Sequence, residues 1–277
     1  MKAETPNGRP HDGTAQAHFA HYATPLIDSA LACASALHSN PDAEVLHKLR
    51  VSLRRLRALL WAYRPLLDEQ FDNQRRALFR FYANAAGKTR DWDILIALLD
   101  EMSDGQGNPG DALQAARSHA LDTSRETLEH ADVKRALRDT LKEANRELNT
   151  AHERNSLPKF ARKRLAAAQK SMAKRMKRAA RAKRSDYASY HEVRKAGKKL
   201  RYLIEFFEPV LARKQRKAAR PLKKLQKRFG ALNDVVASEQ LLRENQTLYA
   251  DETAAAHALD ALARERKRRM RNAGKLL

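Results

Sequence analysis

Two stretches of this chain align without a gap over 21 residues, and this internal repeat constrains the fold more than any other feature. They are HKLRVSLRRLRALLWAYRPLL, starting at His47, and HEVRKAGKKLRYLIEFFEPVL, starting at His191. Helix composition alone would not place a histidine and a proline at matching ends. A second echo follows each copy, because GKTRD at Gly87 corresponds to GALND at Gly230. We expect a duplicated fold with two halves, about residues 14–150 and 158–277, related by a pseudo-two-fold axis.

The pattern between the turns is helical throughout. The whole chain holds only 9 glycines and 9 prolines, and no segment alternates polar and apolar residues with a period of two. We therefore predict an all-α fold made of two four-helix-bundle-like halves. In both copies the second echo predicts the end of one helix and the start of the next. Gly87 suits a left-handed cap position, and Asp91 is expected to cap the following helix.

Three segments are expected outside the helices. Residues 1–13 carry glycine, proline and almost no apolar side chain, which predicts a flexible N-terminal arm before a single domain of residues 14–277. Asn40-Pro41-Asp42 predicts a turn, and residues 103–110 predict a loop. No secretory signal and no membrane-spanning stretch is recognisable, and Cys33 is the only cysteine, so a cytoplasmic location is expected.

The positive charge is concentrated in the second half of the chain. The formal net charge is +22, with 20 basic and 21 acidic residues up to Asn149, and 35 basic and 12 acidic residues after it. A field of this size attracts polyanions and accelerates their encounter. Nucleic acid, an anionic membrane and polyphosphate are all compatible with it.

Helical periodicity separates two faces on the repeated segment. Leucines at positions 46, 49, 53, 56 and 60, followed by Tyr63, form an apolar stripe that predicts a core-facing helix. Beside it lies a cationic stripe that the second copy repeats, comprising His47, Arg50, Arg54 and Arg57 in one copy and His191, Arg194, Lys198 and Arg201 in the other. Cations in one line repel each other, and an incidental solvated face would relieve this with glutamates one turn away. We infer a bound anion with regularly spaced charges.

These residues resemble the CHAD family, the conserved histidine α-helical domain. The matching motifs are HxxRxxxRRLR from His47, RDxD from Arg90, HxxRKxxKKLRY from His191 and GxxND from Gly230. They occur in the order of the family and span about residues 22–262. The resemblance implies two helical halves around a basic central groove or pore, and non-catalytic binding of inorganic polyphosphate. Some relatives carry an ExExK triphosphate hydrolase motif, which is absent here, and some stand-alone members associate with polyphosphate granules.

The expected polyphosphate site has two ranks of residues. The central contacts are Arg50, Arg54, Arg57, Arg194, Lys198 and Arg201, since arginine forks and lysine point charges both bind phosphate oxygens. The second rank lies next to them or on adjacent helices and comprises Arg55, Arg80, Lys199, Lys223, Lys227 and Arg228. His47 and His191 have two interpretations, as donors to phosphate or as structural residues that order the neighbouring arginines. No catalytic residue, metal site or cofactor is predicted.

One basic helix supports a competing interpretation. Residues 159–184 hold twelve basic residues and no acidic one, with an apolar stripe of alanine, methionine, leucine and phenylalanine. Without tryptophan in that stripe, membrane insertion is disfavoured. Nonspecific binding of duplex nucleic acid is the alternative function, because contact with its phosphates needs only a basic surface.

Overall fold

A computed structural model describes residues 13–39, 42–102, 109–183 and 185–277 of the chain. Within these ranges the fold is all-α, as predicted, and the only extended pairing is an isolated bridge between Thr14 and Ser156. The residues at 1–12, most of the predicted arm, lie outside the described ranges. So do Asn40 and Pro41 of the predicted turn, residues 103–108 of the predicted loop, and Arg184.

Eleven α-helices make up the described part of the chain. They are α1 (Ala15–Ser39), α2 (Ala43–Tyr63), α3 (Glu69–Ala85), α4 (Lys88–Met102), α5 (Gly110–His130), α6 (Val133–Thr150), α7 (Leu157–Arg181), α8 (Tyr187–Phe207), α9 (Arg213–Lys217), α10 (Ala219–Glu244) and α11 (Glu252–Gly274). None of the helices in the described ranges is long and apolar enough to cross a membrane.

The two copies of the repeat form the equivalent helices α2 and α8. Asp42 caps α2 by accepting a bond from the Glu44 backbone N–H at 3.3 Å, and Asp186 caps α8 through the Ser189 backbone N–H at 3.2 Å. Each helix ends in a short 3₁₀ turn that contains the repeated proline. The whole apolar stripe of α2 is buried, as the periodicity predicts.

The second echo of the repeat predicts a helix end followed by a helix start, which is confirmed in the first copy, where α3 ends at Ala85 and α4 begins at Lys88, and is wrong in the second. Asp91 lies inside the first turn of α4 instead of capping it. In the other copy, α10 continues without a break through Gly230. The helix continues because the buried apolar residues Phe229 and Leu232 keep the same core-facing stripe on either side of this glycine.

The hydrophobic core crosses the boundary between the predicted halves. The larger cluster joins α1, α2 and α6 to α7, α8 and the first part of α10. The smaller cluster joins α4 and α5 to the second part of α10 and α11. Helices from both halves therefore share each cluster, and α2 and α8 are held side by side by common packing. The pseudo-two-fold relation between the halves stays a prediction.

Candidate functional site

A cavity of about 750 Å³ opens beside α2 and α8 and is completed by α3, α4 and α10. Just over half of its lining residues are basic, namely His47, Arg50, Arg54, Arg57, Arg76, Arg80, Arg90, His191, Arg194, Lys195, Lys198 and Lys199. Among the residues that the structure describes, two carboxylates, Asp91 and Asp234, line the same space. The cavity thus concentrates positive charge on a concave surface, where its field is focused.

Nine of the fourteen predicted site residues lie in this cavity. They are His47, Arg50, Arg54, Arg57, Arg80, His191, Arg194, Lys198 and Lys199. The other five, Arg55, Arg201, Lys223, Lys227 and Arg228, do not line it.

Arg55 and Arg201 are drawn away from the cavity by a shared carboxylate. Glu205 lies one turn after Arg201 on α8 and pairs with it at 3.4 Å, and the same carboxylate lies 4.0 Å from Arg55. In the first copy the position equivalent to Glu205 is Trp61, so Arg57 has no such partner and lines the cavity. This single difference breaks the symmetry of the two cationic stripes.

The remaining three residues lie elsewhere on α10. Lys223 is exposed, and Lys227 and Arg228 line a separate groove of about 570 Å³ that also includes Arg268 of α11. The Arg228 guanidinium donates to the backbone carbonyl of Asn272 at 3.1 Å. These side chains form a second basic surface instead of a second rank around the cavity.

Three further cations line the cavity and are not among the predicted site residues. Arg76 lies one turn before Arg80 on α3 and makes a two-pronged pair with the buried carboxylate of Asp72, at 2.8 and 2.7 Å. Arg90 lies within the RDxD motif, and Lys195 follows Arg194 directly. The sequence does contain a signal for two of them, because Arg76 lies four residues before Arg80 and Arg90 begins the RDxD motif.

Gly87 has a different role from the one predicted. Its backbone is not left-handed, and a Cβ placed on it would lie 1.6 Å from a terminal nitrogen of Arg50. The absence of a side chain lets the Arg50 guanidinium cross the start of α4 and reach Asp91 at 3.5 Å. Burial raises the pKa of Asp91, an effect that Arg50 opposes and Asp234 reinforces.

Lys198 has the most perturbed charge in the cavity. Burial, followed by repulsion from Arg54, Arg194 and Arg50, lowers the pKa of Lys198 to about 6, while Asp234 acts weakly in the opposite direction. Near neutral pH this side chain is therefore mostly a neutral amine. An arriving anion would supply the countercharge that restores its ammonium form.

The two histidines have different surroundings. The Tyr187 hydroxyl lies 3.1 Å from Nδ1 of His191 and donates to Asn233 at 3.1 Å. Burial lowers the pKa of His191, with Lys195 and Arg194 adding to the effect. Nδ1 of His47 is buried without a hydrogen-bond partner in the described structure. At the position equivalent to Tyr187 the first copy has Ala43, which cannot provide one.

Four lining residues carry buried polar atoms that lack a hydrogen-bond partner within the described chain. They are His47 (Nδ1), Arg57 (Nε), Arg194 (Nε) and Ser238 (Oγ). Buried polar groups are normally paired, but six further atoms of this kind lie outside the cavity in the described chain, so these atoms do not by themselves identify a ligand site.

Trp61 forms part of the cavity wall near its rim. The ammonium of Lys199 lies 4.8 Å from the indole ring centre, and the guanidinium of Arg164 on α7 lies 4.7 Å from it. Arg164 also donates to the backbone carbonyl of Trp61 at 2.7 Å. Cation–π contacts of this kind hold the two cations in place without neutralising them.

Comparison with known proteins places this architecture in context. A family model described as the CHAD domain matches residues 21–243. The crystal structure of the CHAD domain from the plant Ricinus communis superposes with a TM-score of 0.80 at 22% identity, covering 100% of this chain and 98% of that one. PptA from Streptomyces chartreusis superposes with a TM-score of 0.68 at 17% identity, covering 95% of this chain and 98% of that one. No curated protein matches the sequence.

Proposed function

The chain belongs to the CHAD domain family, and from that premise we propose that its cationic cavity binds inorganic polyphosphate without chemical conversion. The observation that carries the proposal is the convergence of twelve basic side chains on one cavity that contains only two carboxylates. Each phosphate of a polyphosphate chain carries negative charge, so a short stretch of the chain matches many of these cations at once. Such an affinity would also recruit the protein to polyphosphate granules.

The shape of the site favours a thin, flexible polyanion over a duplex. Arginine forks and lysine ammonium groups both bind phosphate oxygens well, and here they face each other across a concave space. A duplex about 20 Å wide cannot enter a cavity of about 750 Å³, so it could touch only the outer rim. The side chains of Arg57 and Arg194 line this cavity from α2 and α8, so a narrow ligand inside it meets cations from both helices.

The arrangement of carboxylates supports binding over hydrolysis. Asp91 is engaged by Arg50, and within the described residues no three His, Cys, Asp or Glu side chains are grouped so that they could hold a metal ion. The proposal therefore predicts that polyphosphate incubated with the protein and magnesium keeps its chain length. Release of orthophosphate in proportion to protein concentration would contradict the non-catalytic part of it.

A competition titration tests the binding itself. Labelled polyphosphate is displaced by unlabelled polyphosphate, duplex DNA and RNA at matched phosphate concentration across a salt series. We expect polyphosphate to remain bound at physiological salt while nucleic acids dissociate, because purely electrostatic contacts weaken steeply as salt rises. Equal loss of all three polymers would favour the alternative, a nonspecific nucleic-acid-binding surface.

Variants locate the site. The triple variant R50E/R54E/R57E reverses three cavity charges on α2 and is expected to abolish tight binding while keeping the helical circular dichroism. A matched control, R138E/K142E/R146E, makes the same charge change on exposed positions of α6, which contributes no residue to the cavity. If the control loses as much affinity as the cavity variant, net charge and not the cavity determines binding.

A further inference from the structure

Helix α7 carries far more positive charge than its place in the fold requires. Its 25 residues include ten lysines and arginines and no acidic residue. Helix α1 precedes α2 just as α7 precedes α8, and it packs on α2 as α7 packs on α8. Yet α1 contains no lysine or arginine at all. The structural role shared by these helices therefore does not explain the charge of α7.

The charge on α7 is distributed unevenly around the helix. With 3.6 residues per turn, Arg164, Ser171 and Arg175 fall within about 40° of each other, along the edge beside the buried stripe. From that edge a sector about 120° wide contains seven exposed cations, namely Lys159, Lys163, Lys170, Lys174, Lys177, Arg178 and Arg181. The exposed face beyond this sector carries Ala166, Gln169, Ala173, Ala180 and a single further arginine, Arg162. The cations thus form a band on one side, which spans about 33 Å along the helix.

We call this group of exposed cations the α7 band. It begins next to the cavity wall. Arg164 touches the ring of Trp61 in the cavity wall, as described above. Arg175 lies 3.4 Å from Glu192, and the same carboxylate is 2.8 Å from the ammonium of Lys195, which lines the cavity. Repulsion from Arg175 also contributes, after burial, to lowering the pKa of Lys199 at the rim. Basic side chains therefore follow one another from the cavity past Lys199 and Arg175 onto α7, with the single carboxylate of Glu192 between Arg175 and Lys195.

The charges of the α7 band are free to meet a ligand. Throughout the described residues, no carboxylate lies within 4.0 Å of the charged groups of Lys170, Lys174, Lys177, Arg178 or Arg181. An open groove of about 810 Å³ runs along these five side chains, and it is also lined by the carboxylate of Asp186, which caps α8 and interacts electrostatically with Arg178. No aromatic side chain lines this groove, so it has no platform on which a nucleobase could stack.

Resting on the proposed function of the cavity, we propose that the α7 band is an extension of the polyphosphate site, on which a long chain continues after it leaves the cavity past Arg175. A cavity of about 750 Å³ holds only a short stretch of a long polymer, so the remainder must lie on the outside. Continuity with the cavity and the excess of basic side chains favour this surface, since among the described residues five cations line the groove against one carboxylate, Asp186. The protein accordingly gains affinity with chain length beyond what the cavity alone provides.

The test compares short and long chains on matched variants. The variant K170E/K174E/R178E reverses three charges of the α7 band one helical turn apart. The α6 variant R138E/K142E/R146E has the same spacing and the same change of net charge. Titrations use tripolyphosphate, polyphosphate of about 100 phosphates and a short DNA duplex at constant salt. All six positions are exposed, and circular dichroism verifies that both variants fold.

We expect the α7 variant to lose about tenfold in affinity for the long chain, while its affinity for tripolyphosphate stays within about twofold of the unmodified protein. The dependence of long-chain affinity on salt should also become shallower, because fewer cations are displaced. Unchanged long-chain affinity would overturn the inference and leave the cavity proposal intact. A loss restricted to the DNA duplex would overturn it in favour of a nucleic-acid surface, and a loss equal to that of the α6 control would reduce it to a net-charge effect. Failure of the unmodified protein to bind either polyphosphate would instead refute the proposed function.

Discussion

Polyphosphate binding should be coupled to proton uptake at Lys198. In the free protein the pKa of Lys198 is about 6, and phosphate oxygens around the ammonium should return it toward its ordinary value of about 10.4. Between these two values the bound state holds one more proton than the free state, so affinity must fall as pH rises. The linkage relation gives about a tenfold loss between pH 7 and pH 8, and only about a twofold loss between pH 5 and pH 6, where free Lys198 is already protonated.

Calorimetry at one pH in two buffers of different ionisation enthalpy measures this uptake directly. Near pH 7.5 we expect roughly one proton taken up per occupied cavity, with a smaller contribution from His191 because its pKa is also lowered. The variant K198R keeps a positive charge at every accessible pH and should abolish most of the slope, whereas H191Q should remove only the smaller part. Long polyphosphate is used so that the titration of its chain ends contributes little.

The stability of the free protein should respond to pH with the opposite sign. The unfolded chain binds a proton at Lys198 up to about pH 10, while the folded chain binds it only below about pH 6. The free energy of unfolding therefore decreases as pH falls through this window, and the free protein should become more stable as pH rises from 6 toward 10. The reasoning would be refuted by a binding affinity that is flat from pH 6.5 to 8.5, or by a K198R variant that keeps the slope of the unmodified protein.

Three further changes test the geometry of the cavity. G87A should destabilise the protein by about 1–3 kcal/mol and weaken polyphosphate binding, because the new Cβ displaces Arg50. G230A meets open space inside α10, so it should leave binding unchanged and raise stability by about 0.5–1 kcal/mol. Equal effects of the two variants in thermal melts and binding titrations would contradict this role of Gly87. E205Q should release Arg55 and Arg201 and raise polyphosphate affinity about two- to fivefold with a steeper salt dependence; unchanged affinity would mean that the pair lies too far from the ligand. Polyphosphate should change the fluorescence of Trp61 and not that of the buried Trp92, so W61F should lose the signal but still bind, and a signal that persists in W61F would come from a wider rearrangement.

The sequence predicts the α2 and α8 helices well because their evidence is local. Buried leucines recur at helical spacing in α2, and the repeat transfers the same boundaries to α8, which runs from Tyr187 to Phe207. The same periodicity separates the cationic stripe from the apolar one. Nine of the fourteen predicted site residues therefore line the cavity, most of them on these two helices.

The predictions that are wrong concern residues whose positions depend on neighbours distant in sequence or on a difference between the two copies of the repeat. The role of Gly87 follows from Arg50 crossing above it, 37 positions earlier in the chain, and no turn pattern encodes this. The position of Arg201 follows from Glu205, which could have been noticed as an i+4 partner but has Trp61 as its counterpart in the first copy. The repeat alone predicts the same chemistry for both copies, whereas the site is asymmetric.

This asymmetry also explains how the chain tolerates so much positive charge in one place. Outside the cavity Glu205 lies close to Arg55 and Arg201, and at the cavity itself Asp91 and Asp72 pair with Arg50 and Arg76. In the middle, no carboxylate lies within pairing distance of Lys198 in the described chain, and the repulsion is relieved by loss of its proton instead. The free protein thus carries less charge in the cavity than its sequence implies, and the ligand restores the missing charge on arrival. A site organised in this way binds its polyanion and a proton together, which makes the pH dependence of binding a property of the same residues that form the site.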